Sequence, residues 1–252
     1  MLALAFFTVA LGSGTASAAP SFSTGIVDID SFQSGETLPF ERAGAAGTRY
    51  LKDNLYWARV VTDSESEVQP GTAEVPFDET DPASPYYDWS VYDQFVRRTV
   101  EYGMVPILTL TNAPRWGRKG CTDSENCYPK PNAFARFATA AATRYSGSFD
   151  PGDGLGTLPR VRHWQSWVEP NLEIFYKPVF KPNGSPSSPY TYRQVLNAFY
   201  DAIHSVRGNN VVLSGGLAPN PVPDSEATPA SCRRISSSSR EGIPVPDMLG
   251  NR

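Results

Sequence analysis

The sequence predicts an α/β fold built on a parallel sheet. Three observations carry the prediction. Short apolar segments alternate with longer amphipathic ones from about residue 24 to 217, Gly, Pro or Asn bounds each apolar segment, and three of the amphipathic stretches carry recognisable ends. Strand followed by helix, repeated, lays successive strands parallel, because a helix is the usual crossover between parallel strands.

The strands are expected at Gly25 to Ile29, Arg49 to Leu55, Val105 to Leu110, Val161 to Val168 and Val211 to Gly215. Ser90 is placed to cap a first helix, with Asp93 three residues on, an apolar face of Tyr92, Phe95, Val96 and Val100, and Gly103 at its end. A second starts at Asn132 and runs through Phe134, Phe137, Ala138 and Ala141 to Gly147. The third runs from Ser188-Pro189 through Tyr192, Val195, Leu196, Phe199, Ile203 and Val206 to Gly208, with proline in its first turn and glycine beyond its end.

Alternation alone fits both an open doubly wound sheet and a closed barrel. No glycine-rich phosphate loop follows the first strand, which removes the commonest nucleotide-binding uses of the open sheet. Polar and aromatic residues crowd the segments after the strands instead: Trp57, then Asn112-Ala113-Pro114-Arg115-Trp116, then Glu169-Pro170-Asn171. In a (β/α)8 barrel these segments build the active-site face. Trp57 and Trp116 are candidate platforms for a sugar ring, with packing at the rim as the alternative; Asn112 is a candidate polar contact, and Asn171 either holds a loop, the favoured reading, or contacts substrate.

Composition narrows the partners. The 252 residues carry 22 Lys+Arg against 26 Asp+Glu, a net charge of -4 that offers no handle for phosphate backbones or anionic lipid. Nucleic acid is therefore not an expected partner. With 13 Phe, 12 Tyr and 5 Trp against 19% charged residues, the balance suits an exported protein that presents rings to uncharged ligands such as sugars.

The amino terminus sets the expected compartment. Leu2 to Leu11 form a short apolar run, and Ala16-Ser17-Ala18-Ala19 resembles a signal peptidase site, so residues 1–18 read as a signal peptide and the chain as secreted, free of the membrane after cleavage. Export permits disulfides: Cys121 and Cys127, six apart in a polar loop, are expected to pair and leave Cys232 over. No cofactor or metal is expected, since His163 and His204 have no ligand-like spacing to a cysteine.

The segment richest in chemistry is Val161 to Leu172. Proline at 170 predicts an extended Glu169, and the strand period of two puts His163, Gln165, Trp167 and Glu169 on one face. A carboxyl among Trp rings is partly desolvated and suited to donate a proton near neutral pH. The plain alternative is a strand-terminal Glu paired with an arginine.

Trp167-Val168-Glu169-Pro170-Asn171 resembles the Trp-Asn-Glu-Pro-Asn signature of clan A glycoside hydrolases. Tyr87-Asp88-Trp89-Ser90-Val91-Tyr92-Asp93, Gly103-Met104-Val105-Pro106-Ile107-Leu108-Thr109-Leu110 and Ala113-Pro114-Arg115-Trp116 are similar to the second helix, third strand and following loop of families 5 and 39. The resemblance spans roughly residues 24–219. It implies a (β/α)8 TIM-barrel fold, a carbohydrate or glycoside substrate, and retaining hydrolysis of an O-glycosidic bond by two carboxyl groups about 5–5.5 Å apart, with Glu169 as acid/base. Lys52 stands where these families often place an arginine.

Two departures accompany the resemblance. Val168 replaces the Asn that donates to the sugar 2-hydroxyl, so a non-catalytic glycan-binding remnant stays open beside the enzyme. Strands begin at residues 49, 105, 161 and 211, 50 to 56 apart, so eight units would take on the order of 400 residues. The barrel domain at 19–219 is thus expected to hold about five units, without the seventh strand that bears the family's nucleophile. Residues 220–252 read as an irregular Ser/Pro-rich tail, either a shifted frame or early stop or a natural linker, and a third possibility is a fragment without function.

Overall fold

The computed structural model describes residues 22–61, 77–121 and 126–219. The five expected strands are β1 (Gly25–Val27), β2 (Tyr50–Tyr56), β3 (Val105–Thr111), β4 (His163–Ser166) and β5 (Val211–Ser214). They form one parallel sheet in chain order. An order that never reverses puts every crossover on one side, because each connection turns with the same right hand. That is the winding of a (β/α)8 barrel; a doubly wound sheet reverses its order midway. Five strands of the barrel winding are present among the described residues. The expected signal at 1–18, the tail at 220–252 and Cys232 lie outside them. No described helix is long and apolar enough to cross a membrane.

The three expected helices are α4 (Ser90–Glu101), α5 (Pro131–Arg144) and α6 (Ser188–Val206); three short ones, α1 (Ile29–Gln33), α2 (Leu38–Ala45) and α3 (Trp57–Val60), are additional. Their ends differ from expectation. The Asp88 carboxylate, two residues ahead, accepts the Ser90 amide at 2.9 Å. Asp93 does not reach back to close a capping box, because Arg144 and the Tyr145 hydroxyl bind its carboxylate. At α5 the helix starts at Pro131, one residue before Asn132, with no side-chain cap. At α6 the extended Arg207, not Gly208, ends the helix.

Alternation along the strands divides the sheet into two faces. Leu51, Leu55, Leu108, Leu110 and Trp164 point to the helices and are fully buried. They meet Phe40, Phe95, Phe134, Phe137, Val195, Phe199 and Ile203, each large side chain contributing about 1.5–3 kcal/mol by leaving water. An aromatic column runs through this layer, with Trp89 stacked on Phe137 at 5.6 Å and Phe137 on Trp57 at 5.0 Å. Pro106 sits inside β3 without cost. The Val105 amide already points to Arg49 beside β2, so the missing Pro106 donor faces β4, whose pairing begins one residue later at Ile107 and His163.

Candidate active site at the carboxyl ends of the strands

The inner face carries Tyr50, Lys52, Asn54 and Tyr56 on β2, Ile107 and Thr109 on β3, and His163 and Gln165 on β4. Gln165 is locked: Thr109 Oγ1 donates to its Oε1 at 2.9 Å and its Nε2 donates to the Ser214 carbonyl at 3.0 Å. His163 rests edge-on to Tyr50 at 5.5 Å, and its buried Nδ1 has no partner. Burial, with Arg162 and Arg49 nearby, pulls its pKa down.

Glu169 arrives at the end of β4 by a break in the backbone. The Trp167 amide still donates to the Leu110 carbonyl, at 2.9 Å, but Trp167 then takes φ 63° and Glu169 φ 32°. The extended Glu169 expected ahead of proline is therefore not formed. A turn closed by the Leu172 amide on the Glu169 carbonyl, at 3.0 Å, overrides the preference for extended backbone. The strand alternation also stops at Ser166. Trp167 turns into the core, where its Nε1 donates to the Phe175 carbonyl at 2.8 Å and its ring meets Phe134 and Tyr176. Glu169 is half-exposed and the Trp167 ring lies in the core beneath it, not around it.

Glu169 interacts electrostatically with Lys52. Partial burial lowers its ammonium pKa, and the Glu169 carboxylate acts against that shift. A lysine on β2 and a carboxylate at the end of β4 thus interact across β3. Asn112, at the end of β3, also has a positive φ of 52°, and its carbonyl accepts the Ala58 amide at 2.8 Å. Asn112, Trp167 and Glu169 are the non-glycine residues with positive φ among those described, and all three sit at the carboxyl ends of two adjacent strands. Each such residue costs on the order of 1–3 kcal/mol, a strain that folded chains concentrate at functional sites.

The other expected contacts divide. Trp116, in a 3-10 turn at Arg115–Gly117, is half-buried at the rim with an unpartnered indole N–H. Trp57 is fully buried, edge-on to Trp116 at 5.2 Å, so it is a core ring with no face for a sugar. The Asn171 carboxamide exchanges hydrogen bonds with the Ala218 backbone, at 3.0 and 3.2 Å, and ties the loop after β4 to the segment after β5. Val168 packs half-buried against the core. Cys121 and Cys127 form a disulfide with Cα atoms 5.5 Å apart. The disulfide loop is bound to the loop after β4 through backbone bonds between Tyr128 and Lys177 and between Lys177 and Asn126.

Sequence reading passed over Tyr192, which orders this end of the sheet. Its hydroxyl donates to the Ser166 carbonyl at 2.8 Å and accepts the Gly215 amide at 2.6 Å, clasping β4 to β5. On the helix it counted only as an apolar position. A groove of about 840 Å³ between α4 and residues 149–155 contains none of the site residues.

No protein-family model matches the sequence, and no curated protein matches it. Solved structures that the fold is similar to include a family 39 glycoside hydrolase from Bacteroides cellulosilyticus WH2 (19% identity, TM-score 0.44, covering 77% of this chain and 31% of that one). Others are a glucosidase from Croceicoccus marinus (16%, 0.47, 78% and 37%) and a monomeric β-xylosidase from Caulobacter crescentus (17%, 0.43, 86% and 39%). The chain spans between three tenths and two fifths of the length of these structures.

Proposed function

We propose that this chain carries the acid/base half of a retaining O-glycoside hydrolase site, with Glu169 as the proton donor. The observation that carries the reading is the strained backbone gathered at the ends of β3 and β4, which presents Glu169, half-exposed, from a Trp-x-Glu-Pro-Asn segment on the fourth strand. Retaining hydrolysis needs a second carboxylate as nucleophile, and the residue that would fill that role lies outside the five described units. In this reading Glu169 gives its proton to the departing glycosidic oxygen while a nucleophile attacks the anomeric carbon from the opposite face.

The test supplies the nucleophile from solution. The chain alone is expected to show no turnover of aryl glycosides above background. Added formate, attacking the anomeric carbon as a nucleophile from solution, is expected to start turnover of substrates with poor leaving groups. Glu169→Gln should lower that rescued rate by about a hundredfold, the low end of a general-acid contribution. Rescue that survives Glu169→Gln, or no rescue across a range of sugars, defeats the assignment. A second reading, glycan binding without chemistry, is favoured by Val168, which cannot donate to a 2-hydroxyl. It predicts saturable glycan binding with no formate rescue, and Val168→Asn then changes affinity alone.

A further inference from the structure

We propose that the groove between the amino-terminal halves of α5 and α6 binds an acidic glycan chain, one bearing carboxylates or sulfates. The groove has a volume of about 890 Å³ and is lined by Lys119, Lys130 and Arg136 together with Asn132, Gln194 and Asn197. No carboxylate lines it among the described residues. This is a concentration of positive charge on a chain whose net charge is -4.

The cations are only partly engaged. Among the described residues Lys119 makes no side-chain hydrogen bond, and Lys130 uses one N–H on the Trp116 carbonyl at 2.7 Å, keeping two. Arg136 contacts Glu79 through Nε, and neither Nη group has a partner among the described residues. The carboxamides of Asn132, Gln194 and Asn197 form no hydrogen bond within the described chain, and each offers both a donor and an acceptor to sugar hydroxyls. Guanidinium and ammonium groups recognise carboxylate and sulfate oxygens, and carboxamides recognise the hydroxyls between them.

Among the described residues the lining contains no aromatic ring, the stacking platform that single-stranded nucleic acids use. The groove lies against the rim of the candidate active site, because Lys130 holds the carbonyl of Trp116. The anionic part of this assignment stands by itself. The glycan part rests on the reading of Glu169 given above.

Affinity electrophoresis of the whole chain tests it, in gels containing polygalacturonate, dextran sulfate or neutral dextran. Retardation is expected in one or both anionic gels, showing which group is preferred, with none in neutral dextran and progressive loss as salt rises. Lys119→Ala/Lys130→Ala should weaken the interaction about tenfold, the scale of two exposed charge contacts, while Lys119→Arg/Lys130→Arg retains it. Gln194→Ala/Asn197→Ala, at exposed helical positions where alanine is well tolerated, gives an independent reading through the carboxamides. Glu169→Gln should leave retardation unchanged, which separates failure of the groove from failure of the catalytic assignment. No retardation in either anionic gel, retardation indifferent to both the alanine pairs, or tighter binding to a single-stranded oligonucleotide overturns the proposal.

Discussion

Asp53 is a buried carboxylate that sequence patterning alone could not value. It points from β2 to the helix side, is fully buried, and takes both of its oxygens to Gln33 Nε2 on α1 at 2.9 and 3.0 Å. Burial pushes its pKa up to about 6 from an ordinary 3.8, against the pull of Gln33, the Asn54 amide and the Arg59 guanidinium. A raised folded-state pKa means that folding takes up a proton between about pH 4 and 6. Stability from this group is complete below the unfolded value and falls as pH rises through that window, by about 3 kcal/mol at most for a shift of roughly two units. Asp53→Asn keeps the shape, and Gln33 can turn its amide to accept. The variant is expected to melt higher than the parent at pH 7.5 and to lose that advantage at pH 4; an equal difference at both values would show that Asp53 does not titrate as described.

The join of β4 to β5 is the element on which the Glu169 turn rests. A Cβ on Gly215 would lie 3.1 Å from the Ser166 carbonyl, 3.2 Å from the Trp167 carbonyl and 3.2 Å from Pro170. Backbone carbonyls yield little, so Gly215→Ala should push the Glu169 turn away from β5 and cost about 1–3 kcal/mol. Tyr192→Phe removes the hydroxyl that bridges the same two strand ends and is expected to cost about 1–3 kcal/mol, because it leaves buried backbone groups unpaired. Urea unfolding of both variants checks the magnitudes, and a loss below about 0.5 kcal/mol for each would deny the clasp its role. The helices show why their caps were misread. Asp93 fits a capping box by spacing alone, yet Arg144 and Tyr145, 51 and 52 residues on, hold its carboxylate instead.

Over the whole molecule, the disulfide and the loop after β4 form one unit on the carboxyl face. Thiol titration of the oxidised, unfolded chain is expected to find one free thiol; three would show that Cys121 and Cys127 do not pair. Much of the architecture was legible in the sequence by itself. Strand positions, parallel pairing and the three long helices follow from apolar periodicity and from proline and glycine punctuation, which act within a few residues. The signature around Glu169 and the pairing of nearby cysteines are equally local. The tertiary structure alone decided that Trp57 is a core ring, that Trp167 leaves the strand face, which backbone Asn171 holds and that Glu169 has a left-handed backbone. Trp57 depends on a partner distant in the chain, Phe137, and Asn171 on Ala218, while the Glu169 turn closes locally on the Leu172 amide against the preference that Pro170 sets. Periodicity records which face of an element is apolar, but it carries no information on which distant backbone will claim a side chain once that face is buried.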